Sequence, residues 1–357
     1  MRCIGLMSGT SMDGVDGALI ETDGTPCSLQ SLSHVSLDYP DDFKQALKQA
    51  EAEIHAASGD LTMAKKTLAE KHRLNLDHII EQSTDYHIDC VKRLIEKTGA
   101  KKIDLIGYHG QTFYHNPAQK ISIILGNARR LQETLGIQVV YDFRSNDIAH
   151  GGQGAPLAPI YHLALATRDK QLPLAFVNCG GISNVTLIPN DNPEDMMAYD
   201  TGPGNALLDQ LVKIRTHNTF HCDLDGQFGS QGKTDDAVLT ALFKRCIIKN
   251  GQNYFDLSAP KSLDYNDMLL IPELDTLSLE NACHTLETFT AKSILHNINP
   301  KTAPPNWILS GGGWKNPVIL NAFKTSLNKT LGNKATAKLS DEHQWQSAAI
   351  EAETFAY

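Results

Sequence analysis

The chain has 357 residues, of which 41% are hydrophobic, 20% charged and 7% aromatic, which is enough for one large or two ordinary globular domains. A formal net charge of -9, without any Lys/Arg run, argues against a nucleic-acid partner. The seven scattered cysteines include no C-x-x-C pair, which disfavours a disulfide framework and a thiolate metal site. Without a signal-peptide pattern, or any stretch near the roughly 18 apolar residues of a membrane span, we expect a cytoplasmic protein with no membrane partner.

The first part of the chain alternates predicted strands and helices. Alternating or buried apolar runs predict strands at residues 2–7, 15–22, 28–37, 103–108, 121–125 and 138–141. Helical spacing of apolar residues predicts helices at 41–57, 62–97 and 127–135. Residues 143–159 are rich in Gly and Pro, which indicates a crossing between two domains.

The opening pattern returns in the second part. Strands are predicted at residues 174–178, 185–188, 196–199 and 307–309, and helices at 160–167, 205–214, 236–248, 279–298 and 345–357. A strand, a turn of small residues and another strand thus stand at the start of each half. We interpret this as an internal duplication of two related half-domains, with two unrelated hairpins as the alternative.

Three glycine-rich loops follow predicted strands, at residues 9–14, 180–184 and 311–313. Glycine lets a backbone approach a phosphate closely and point its N–H groups at it. One such loop is more often a structural turn. Three of them at strand ends favour a ligand site, because open α/β folds bind ligands at strand ends.

Two aspartate positions carry candidate chemistry. Asp13, in the first loop, suits a magnesium ion reached through water, although Asp13 and Asp16 are equally interpretable as turn residues. Asp200 precedes a Gly-Pro-Gly corner and is interpretable as a general base or as a helix cap. His109 and His115 have no metal-ligand spacing and are at most polar pocket residues.

The segment at residues 226–234 looks like a P-loop but fails two requirements of that motif. Five residues, rather than four, separate Gly226 from Gly232, and the preceding residues are polar instead of a buried strand. We therefore predict a surface loop that caps the following helix.

Taken together, these motifs resemble the anhydro-N-acetylmuramic acid kinases of the acetate and sugar kinase, Hsp70 and actin superfamily. The similarity runs in order from residue 5 to about residue 355, and no single motif carries it. Its segments are GLMSGTSMDGVD at 5–16, HGQT at 109–112, GN at 126–127, DFR at 142–144, GGQGAP at 151–156, GGISN at 180–184, DTGPGN at 200–205 and SGGG at 310–313.

The resemblance implies an α/β fold of two domains, of the actin-like ATPase (ribonuclease H-like) type, with an interdomain cleft. Domain I would comprise residues 1–142 plus 343–357, and domain II residues 143–342. The implied reaction uses ATP and Mg²⁺ to phosphorylate 1,6-anhydro-N-acetylmuramic acid while water opens its anhydro ring, a step of cell-wall recycling. A cytoplasmic homodimer is also implied.

The resemblance further implies roles for individual residues. Asp200 would be the catalytic base, and Asp13 would hold Mg²⁺ directly or through water. ATP and its phosphates would be bound by Gly9, Thr10, Ser11, Met12, Asp13, Gly14, Val15, Asp16, Gly180, Gly181, Ser183, Asn184, Gly311, Gly312 and Gly313. The sugar would be bound by His109, Gln111, Thr112, Arg144, Gly204, Asn205 and Glu351.

One departure and two alternatives remain. Some members of the family carry basic residues where this chain has Ser145 and Asn146, which leaves Arg144 as the candidate contact to the lactyl carboxylate of the sugar. The first alternative is a kinase for another anhydro-sugar, such as levoglucosan. The second is a non-catalytic nucleotide switch on the same scaffold.

Overall fold

The structure is a computed structural model, and it describes residues 1–9, 12–116, 119–248, 251–263 and 267–357. The chain forms two compact units, Met1–Arg168 together with Ala348–Tyr357, and Asp169–Ser347. The borders at 142/143 and 342/343, which assign functional elements to two domains, stay a prediction. In the described ranges, every helix is too short or too polar to cross a membrane.

A six-stranded mixed sheet forms the centre of the first unit. Its strands are β1 (Arg2–Ser8), β2 (Gly14–Glu21), β3 (Gln30–Asp38), β4 (Leu105–Asn116), β5 (Ile121–Leu125) and β6 (Val139–Tyr141). The order is β3-β2-β1-β4, in which β1 and β4 are parallel and the other pairs antiparallel. Beyond β4, β6 pairs in parallel with its first half and β5 pairs antiparallel with its second half.

Six α-helices lie in the described residues of this unit's first segment. They are α1 (Asp41–Ala56), α2 (Leu61–Thr67), α3 (Leu76–Thr98), α4 (Ala128–Leu135), α5 (Ser145–Ala149) and α6 (Pro159–Arg168). The apolar faces of α1, α3 and α4 pack with the strands into one core, which includes Leu47, Leu94 and Leu131. The helix α5 was not predicted.

The prediction of one helix over residues 62–97 is wrong. After α2 a short π-helical turn, Leu68–His72, ends at Arg73, whose φ of 57° is left-handed. Asn75 then caps α3, because its side chain accepts hydrogen bonds from the backbone N–H groups of Asp77 and His78. A left-handed residue followed by an Asn cap breaks the helix although the apolar spacing continues across it.

The second unit has a five-stranded sheet with the order β11-β10-β7-β8-β9. Its strands are β7 (Leu174–Cys179), β8 (Ile182–Ile188), β9 (Met197–Pro203), β10 (Asn306–Ser310) and β11 (Thr336–Leu339). Its helices are α7 (Ala206–Arg215), α8 (Asp236–Lys244), α9 (Leu279–His296) and α10 (Pro317–Leu331). Strand β11 and helix α10 were not predicted.

The predicted internal duplication is confirmed. In each unit the first strand pairs antiparallel with the second, the second antiparallel with the third, and the first in parallel with the fourth. A further parallel strand follows the fourth strand in both units, namely β6 and β11. Two α/β units with one strand order confirm the predicted fold class.

The last helix, α11 (Ile350–Ala356), returns to the first unit and packs on β1 and β4. Two glycines permit this close approach. A Cβ atom at Gly5 would lie 1.8 Å from the Ala352 carbonyl oxygen, and one at Gly107 would lie 1.7 Å from that of Phe355. The prediction that this helix begins at residue 345 is wrong, since residues 345 and 346 have no regular structure and residues 347–349 form a turn.

Three other predicted boundaries are wrong. Strand β4 extends to Asn116 and β9 to Pro203, so HGQT and Asp200 lie inside strands rather than after them. Helix α8 ends at Lys244 instead of residue 248. Local periodicity does not reveal which segment pairs with a strand and extends it, nor which residue ends a helix.

Candidate functional site

The first glycine-rich loop connects β1 to β2 and is fixed at its beginning. The Gly9 carbonyl accepts hydrogen bonds from the Met12 N–H at 3.1 Å and from the Gln111 side-chain amide at 2.8 Å. Met12 itself is buried in the core with φ 54°, so its side chain anchors the loop. Thr10 and Ser11 lie outside the described residues. Gly14 cannot carry a side chain, because a Cβ would lie 2.3 Å from the Leu37 carbonyl oxygen.

A buried polar network, which the sequence did not reveal, lies at the end of β1 where this loop begins. The Ser8 hydroxyl lies 2.9 Å from the Tyr39 hydroxyl and 3.1 Å from Nε2 of His87. Burial lowers the pKa of His87 to about 4, so its ring is neutral at physiological pH. Val15 is buried in the core of the first unit, and its expected contact with ATP stays a prediction.

Three acidic side chains of the first unit influence one another. Asp13 is exposed, whereas Asp16 is half-buried and accepts a hydrogen bond from Ser36. Burial raises the pKa of Asp16, and the charge of Asp13 raises it further. Glu351, on α11, is classed as exposed by its surface area. Loss of hydration around its carboxyl nevertheless raises its pKa, and the charges of Asp16 and Asp13 raise that pKa further. This acidic group favours a cation nearby.

Among the described residues, no cluster of three or more His, Cys, Asp or Glu side chains has the arrangement of a metal site. A Mg²⁺ ion that keeps most of its waters needs only one or two protein carboxylates. Asp13, in the first loop, has an exposed carboxylate.

His109, Arg144 and Phe355 form a compact group on β4, before α5 and on α11. One Nη of Arg144 donates to Nε2 of His109 at 2.9 Å, and Nδ1 of His109 lies 2.9 Å from the Gly110 carbonyl oxygen. The imidazole also packs on the Phe355 ring with 4.6 Å between centroids. Burial, followed by the charge of Arg144, lowers the pKa of His109 to about 3. His109 is thus a neutral ring with both nitrogens engaged.

Gln111 and Thr112 follow on β4, where Gln111 is fully buried and Thr112 half-buried. The Gln111 amide nitrogen donates its hydrogen bond to the Gly9 carbonyl, while its Oε1 has no hydrogen-bond partner in the part of the chain that the structure describes. Gln111 therefore joins the first loop to the strand that carries His109.

The second glycine-rich loop, between β7 and β8, is held by the start of α7. The Gly181 carbonyl accepts from the N–H of Gly204, and the Gly180 carbonyl accepts from the N–H of Asn205, both at 2.8 Å. A Cβ at Gly204 would lie 2.1 Å from the Gly180 carbonyl oxygen, so Gly204 has to be glycine. The loop thus has a fixed shape before any ligand binds.

Ser183 and Asn184, predicted in that loop, lie in β8. The buried Ser183 hydroxyl is 2.8 Å from that of Thr201 and 3.1 Å from the Gly202 carbonyl oxygen, which joins β8 to β9. Asn184 is directly opposite Asp200 in the sheet.

Asp200 is enclosed by a segment that the sequence analysis did not single out. Its Oδ2 accepts from the Leu263 N–H at 2.9 Å, its N–H donates to the Lys261 carbonyl at 3.0 Å, and its carbonyl accepts from the Tyr254 hydroxyl. Burial raises the pKa of Asp200 to about 6, against the opposing effect of the Leu263 hydrogen bond. The helix-cap interpretation is wrong, because Asn205 occupies the position before α7.

A polar row crosses the second sheet beside Asp200. The register pairs Ser310 with Asn178, Asn178 with Asn184, and Asn184 with Asp200. Directly opposed residues share a face of the sheet, with Cβ atoms about 5 Å apart. Asn178 was missed; the signal was a polar residue in the otherwise apolar strand LAFVNC.

The third glycine-rich loop follows β10 and packs on the end of β7. A Cβ at Gly311, whose φ is 98°, would lie 2.5 Å from Oδ1 of Asn178. Gly313 is equally close to Cys179, with 2.4 Å from a Cβ to the sulfur, whereas Gly312 faces open space. The Gly311 N–H donates to the Ser347 hydroxyl at 3.0 Å.

The segment that resembles a P-loop contains two short 3₁₀ turns, Leu224–Gly226 and Gly229–Gln231, and follows no strand. Rejection of a P-loop is confirmed by this context. The prediction of a surface loop is wrong in part, because Gly229 is buried against the Glu287 carboxyl.

Two α/β units that share one strand order define the class of duplicated, two-unit α/β proteins. A family model described as anhydro-N-acetylmuramic acid kinase matches residues 1–357. An anhydro-N-acetylmuramic acid kinase of Methylobacterium nodulans is 37% identical over 373 residues, covering 100% of this chain and 92% of that protein. One of Nitrobacter winogradskyi is 36% identical over 364 residues, covering 100% and 91%. The chain belongs to the anhydro-N-acetylmuramic acid kinase family.

Proposed function

We propose that this protein transfers the γ-phosphoryl group of ATP to O6 of 1,6-anhydro-N-acetylmuramic acid while water opens the anhydro bridge. The products are N-acetylmuramic acid 6-phosphate and ADP, which makes the reaction a step of cell-wall recycling. Full-length similarity to relatives of that name supports the substrate. The observation that carries the chemistry is the carboxylate of Asp200, which is oriented by a backbone N–H and has its pKa raised to about 6.

Asp200 would act as the general base. A base with a pKa near the working pH is deprotonated and still able to accept a proton from water. Glycoside cleavage normally needs an acid for the leaving oxygen as well. Here O6 forms a bond to phosphorus as its bond to C1 breaks, so no proton has to reach it. Attack by water opposite the bridge inverts C1, and the water proton passes to Asp200.

The glycine-rich loops would hold ATP. Gly9 and its neighbours to Asp16, together with Gly180 and Gly181, would bind phosphates, and Gly311 to Gly313 would lie by the adenosine. Fixed backbone of this kind orients donors before the ligand arrives, which suits phosphoryl transfer, where positioning dominates. Asp13 would hold Mg²⁺ through water, and the ion would neutralise phosphate charge.

A product assay in H₂¹⁸O with Mg-ATP and the anhydro-sugar tests this proposal. Wild-type protein should give a sugar phosphate with ¹⁸O at C1, and Asp200→Asn should lower kcat by at least about 100-fold. Asp209→Asn is the matched control, because burial also raises the pKa of Asp209, on α7, to about 6. Three results together would support Asp200 as the base: ¹⁸O at C1 of the wild-type product, the expected loss of kcat in Asp200→Asn, and wild-type rates in Asp209→Asn.

Two results would contradict the proposal. If the protein phosphorylates levoglucosan but not the N-acetylmuramic sugar, the assignment as a kinase stands and the assignment of its substrate is wrong. ATP hydrolysis that responds to no sugar would favour a nucleotide switch.

We also propose that the protein is a cytoplasmic homodimer, as the family resemblance implies. Light scattering after size exclusion tests the assembly directly, since a mass near twice 39.2 kDa is expected. A mass of one chain at micromolar concentration would overturn it.

A further inference from the structure

A half-buried lysine, Lys261, fastens the segment of residues 254–263 that encloses Asp200. Its Nζ donates one hydrogen bond to the Tyr254 carbonyl at 2.9 Å and another to Oδ1 of Asn297 at 2.8 Å. Asn297 stands directly after the C-terminal end of α9. The side chain of Lys261 therefore joins the two ends of this segment to each other and to a helix of the second core.

The surroundings of the Lys261 ammonium group contain aromatic rings and uncharged acceptors. Its Nζ lies 4.2 Å from the centre of the Tyr254 ring and 5.7 Å from that of Phe255, and a cation above an aromatic face is attracted to it. Burial nevertheless lowers the pKa of Lys261 to about 8. A methionine would fill the same space without this loss of hydration, so the specific contribution of a lysine is its pair of hydrogen bonds.

The same segment makes three contacts with Asp200. Its Leu263 N–H donates to Oδ2 at 2.9 Å, its Lys261 carbonyl accepts from the Asp200 N–H at 3.0 Å, and its Tyr254 hydroxyl donates to the Asp200 carbonyl. The Leu263 bond is the one that reaches the carboxylate. A hydrogen bond to the charged form of a carboxyl lowers its pKa, and this bond opposes the effect of burial on Asp200.

We propose that Lys261 is a positioning residue for Asp200, which it serves by holding residues 254–263 closed against α9 so that the Leu263 N–H stays on the carboxylate. Lys261 acts through this backbone donor and contacts neither the sugar nor ATP. The inference rests on the proposed function, in which Asp200 is the base.

Other titratable groups near this arrangement keep one protonation state where the test is made. In the part of the chain that the structure describes, the side chains that act electrostatically on Lys261 or Tyr254, besides Asp200, are Tyr199, Cys246, Asp256 and His296. Burial raises the pKa of Tyr199 to about 12 and that of Cys246 to about 11, and it also raises the pKa of Tyr254. Burial lowers the pKa of His296 below 6.5. Between pH 6.5 and 8, a shifted activity profile therefore reports Asp200.

The first test measures kcat/KM for the anhydro-sugar against pH at saturating Mg-ATP. Lys261→Met removes both hydrogen bonds, so the pH of half-maximal kcat/KM should rise by about one unit from the wild-type value of about 6. The loss relative to wild type should be about fivefold at pH 6 and should shrink toward pH 8. Lys261→Arg, which keeps the charge and the donors, should restore part of the shift. Lys292→Met, at an exposed position on α9, is the matched control and should leave the profile unchanged.

The partner of the lysine provides a second test. Asn297→Leu removes the acceptor of one Lys261 hydrogen bond, and also the donor to the Phe255 carbonyl at 3.3 Å. It should move the profile in the same direction as Lys261→Met. The double variant should shift no further than the larger single shift, because residues that act as a unit are non-additive. Shifts that add in full would overturn the proposed unit.

Hydrogen exchange follows the backbone donor without any substrate. Leu263 is buried and its N–H is hydrogen-bonded, so this amide should exchange slowly in the wild type. In Lys261→Met a peptide spanning residues 254–263 should exchange at least about tenfold faster, while a peptide from β7 should keep its wild-type rate. Equal exchange of residues 254–263 in the two proteins would overturn the positioning role.

The outcomes separate the two levels of the argument. If the wild type turns over no anhydro-sugar, the proposed function fails, and Lys261 loses its role in catalysis whatever the exchange rates are. If wild type and Lys261→Met lose activity at the same pH, only this inference fails. A rise in KM for the sugar or ATP without a shift would assign Lys261 to a ligand. A uniform loss of kcat/KM at every pH, with a lower urea midpoint, would make Lys261 merely structural, and either of these results overturns the inference.

Discussion

At the scale of single residues, the raised pKa of Asp200 predicts a pH dependence of the reaction. The base must be deprotonated, so kcat/KM should fall about tenfold per pH unit below pH 6 and level off above it. Initial rates between pH 4.5 and 8 at low sugar concentration measure this decline. Burial gives Asp209 a similar pKa, so Asp209→Asn is the control and should keep the decline if Asp200 causes it. A wild-type profile that is flat from pH 5 to 7 would exclude Asp200 as a base with this pKa.

The sequence indicated which aspartate to consider but not how it is held. Asp200 was singled out because it precedes a Gly-Pro-Gly corner. The groups that orient it come from residues 254–263, more than fifty positions away, and Asn178 and Asn184 reach it only through strand register. Such contacts depend on pairing between distant segments, which local patterns do not encode.

Within single elements, the sequence predicted most strands and helices but misplaced their ends. The strands β1, β5 and β7 were placed to within a residue, because each is a short apolar run between turn residues. The helix break at Arg73 was missed, since the apolar spacing runs on through it. Helix α10 was missed although Asn316 and Pro317 are a standard cap and first-turn pair.

The contact of α11 with β1 and β4 yields a prediction about Gly107. A Cβ at this position would overlap the Phe355 carbonyl, which is backbone and cannot rotate away. Gly107→Ala should therefore lower the free energy of unfolding by about 3 kcal/mol and displace Glu351 and Phe355, lowering activity. Gly99→Ala is the control, since only its left-handed φ of 62° opposes a side chain there, at a cost of about 1 kcal/mol.

Urea unfolding measures both variants. Equal losses of stability in Gly107→Ala and Gly99→Ala would show that α11 does not depend on close approach to β4.

A second element-scale prediction concerns the buried carboxyl of Glu287 on α9. Burial raises its pKa to about 8, and its Oε1 accepts from Asn316 at 2.6 Å at the start of α10. Between pH 5 and 8 the folded state keeps this proton while the unfolded chain releases it. Unfolding therefore releases a proton, so the free energy of unfolding falls by up to about 1.4 kcal/mol for each pH unit by which the pH rises.

Glu287→Gln should remove this pH dependence, because glutamine has the same shape and no proton to lose. The variant should become more stable than the wild type as pH rises toward 8, by about 4 kcal/mol at most. Urea midpoints at several pH values between 5 and 8.5 provide the comparison. Parallel curves for the two proteins would mean that Glu287 is already ionised in the folded state.

For the whole molecule, the repeated strand–turn–strand pattern was the informative feature of the sequence. It predicted two related halves, and the common strand order of the two sheets confirms them. The composition alone allowed one domain or two. Each unit has its own core, and the two clusters share no residue. The strand–turn–strand pattern occurs twice in the sequence because each half forms the same strand order around a core of its own.

Separate cores predict that the second unit folds without the first. Residues 169–347 are continuous and contain a large buried apolar cluster of their own, so this fragment should unfold cooperatively in urea. Residues 1–168 alone lack α11, which covers β1 and β4 through Gly5 and Gly107, and should be much less stable. Adding residues 348–357 as a separate peptide should restore part of the loss, because binding to the folded state stabilises it. A fragment 169–347 without a cooperative transition would show that its core needs the remainder of the chain, whatever the fate of the other fragment.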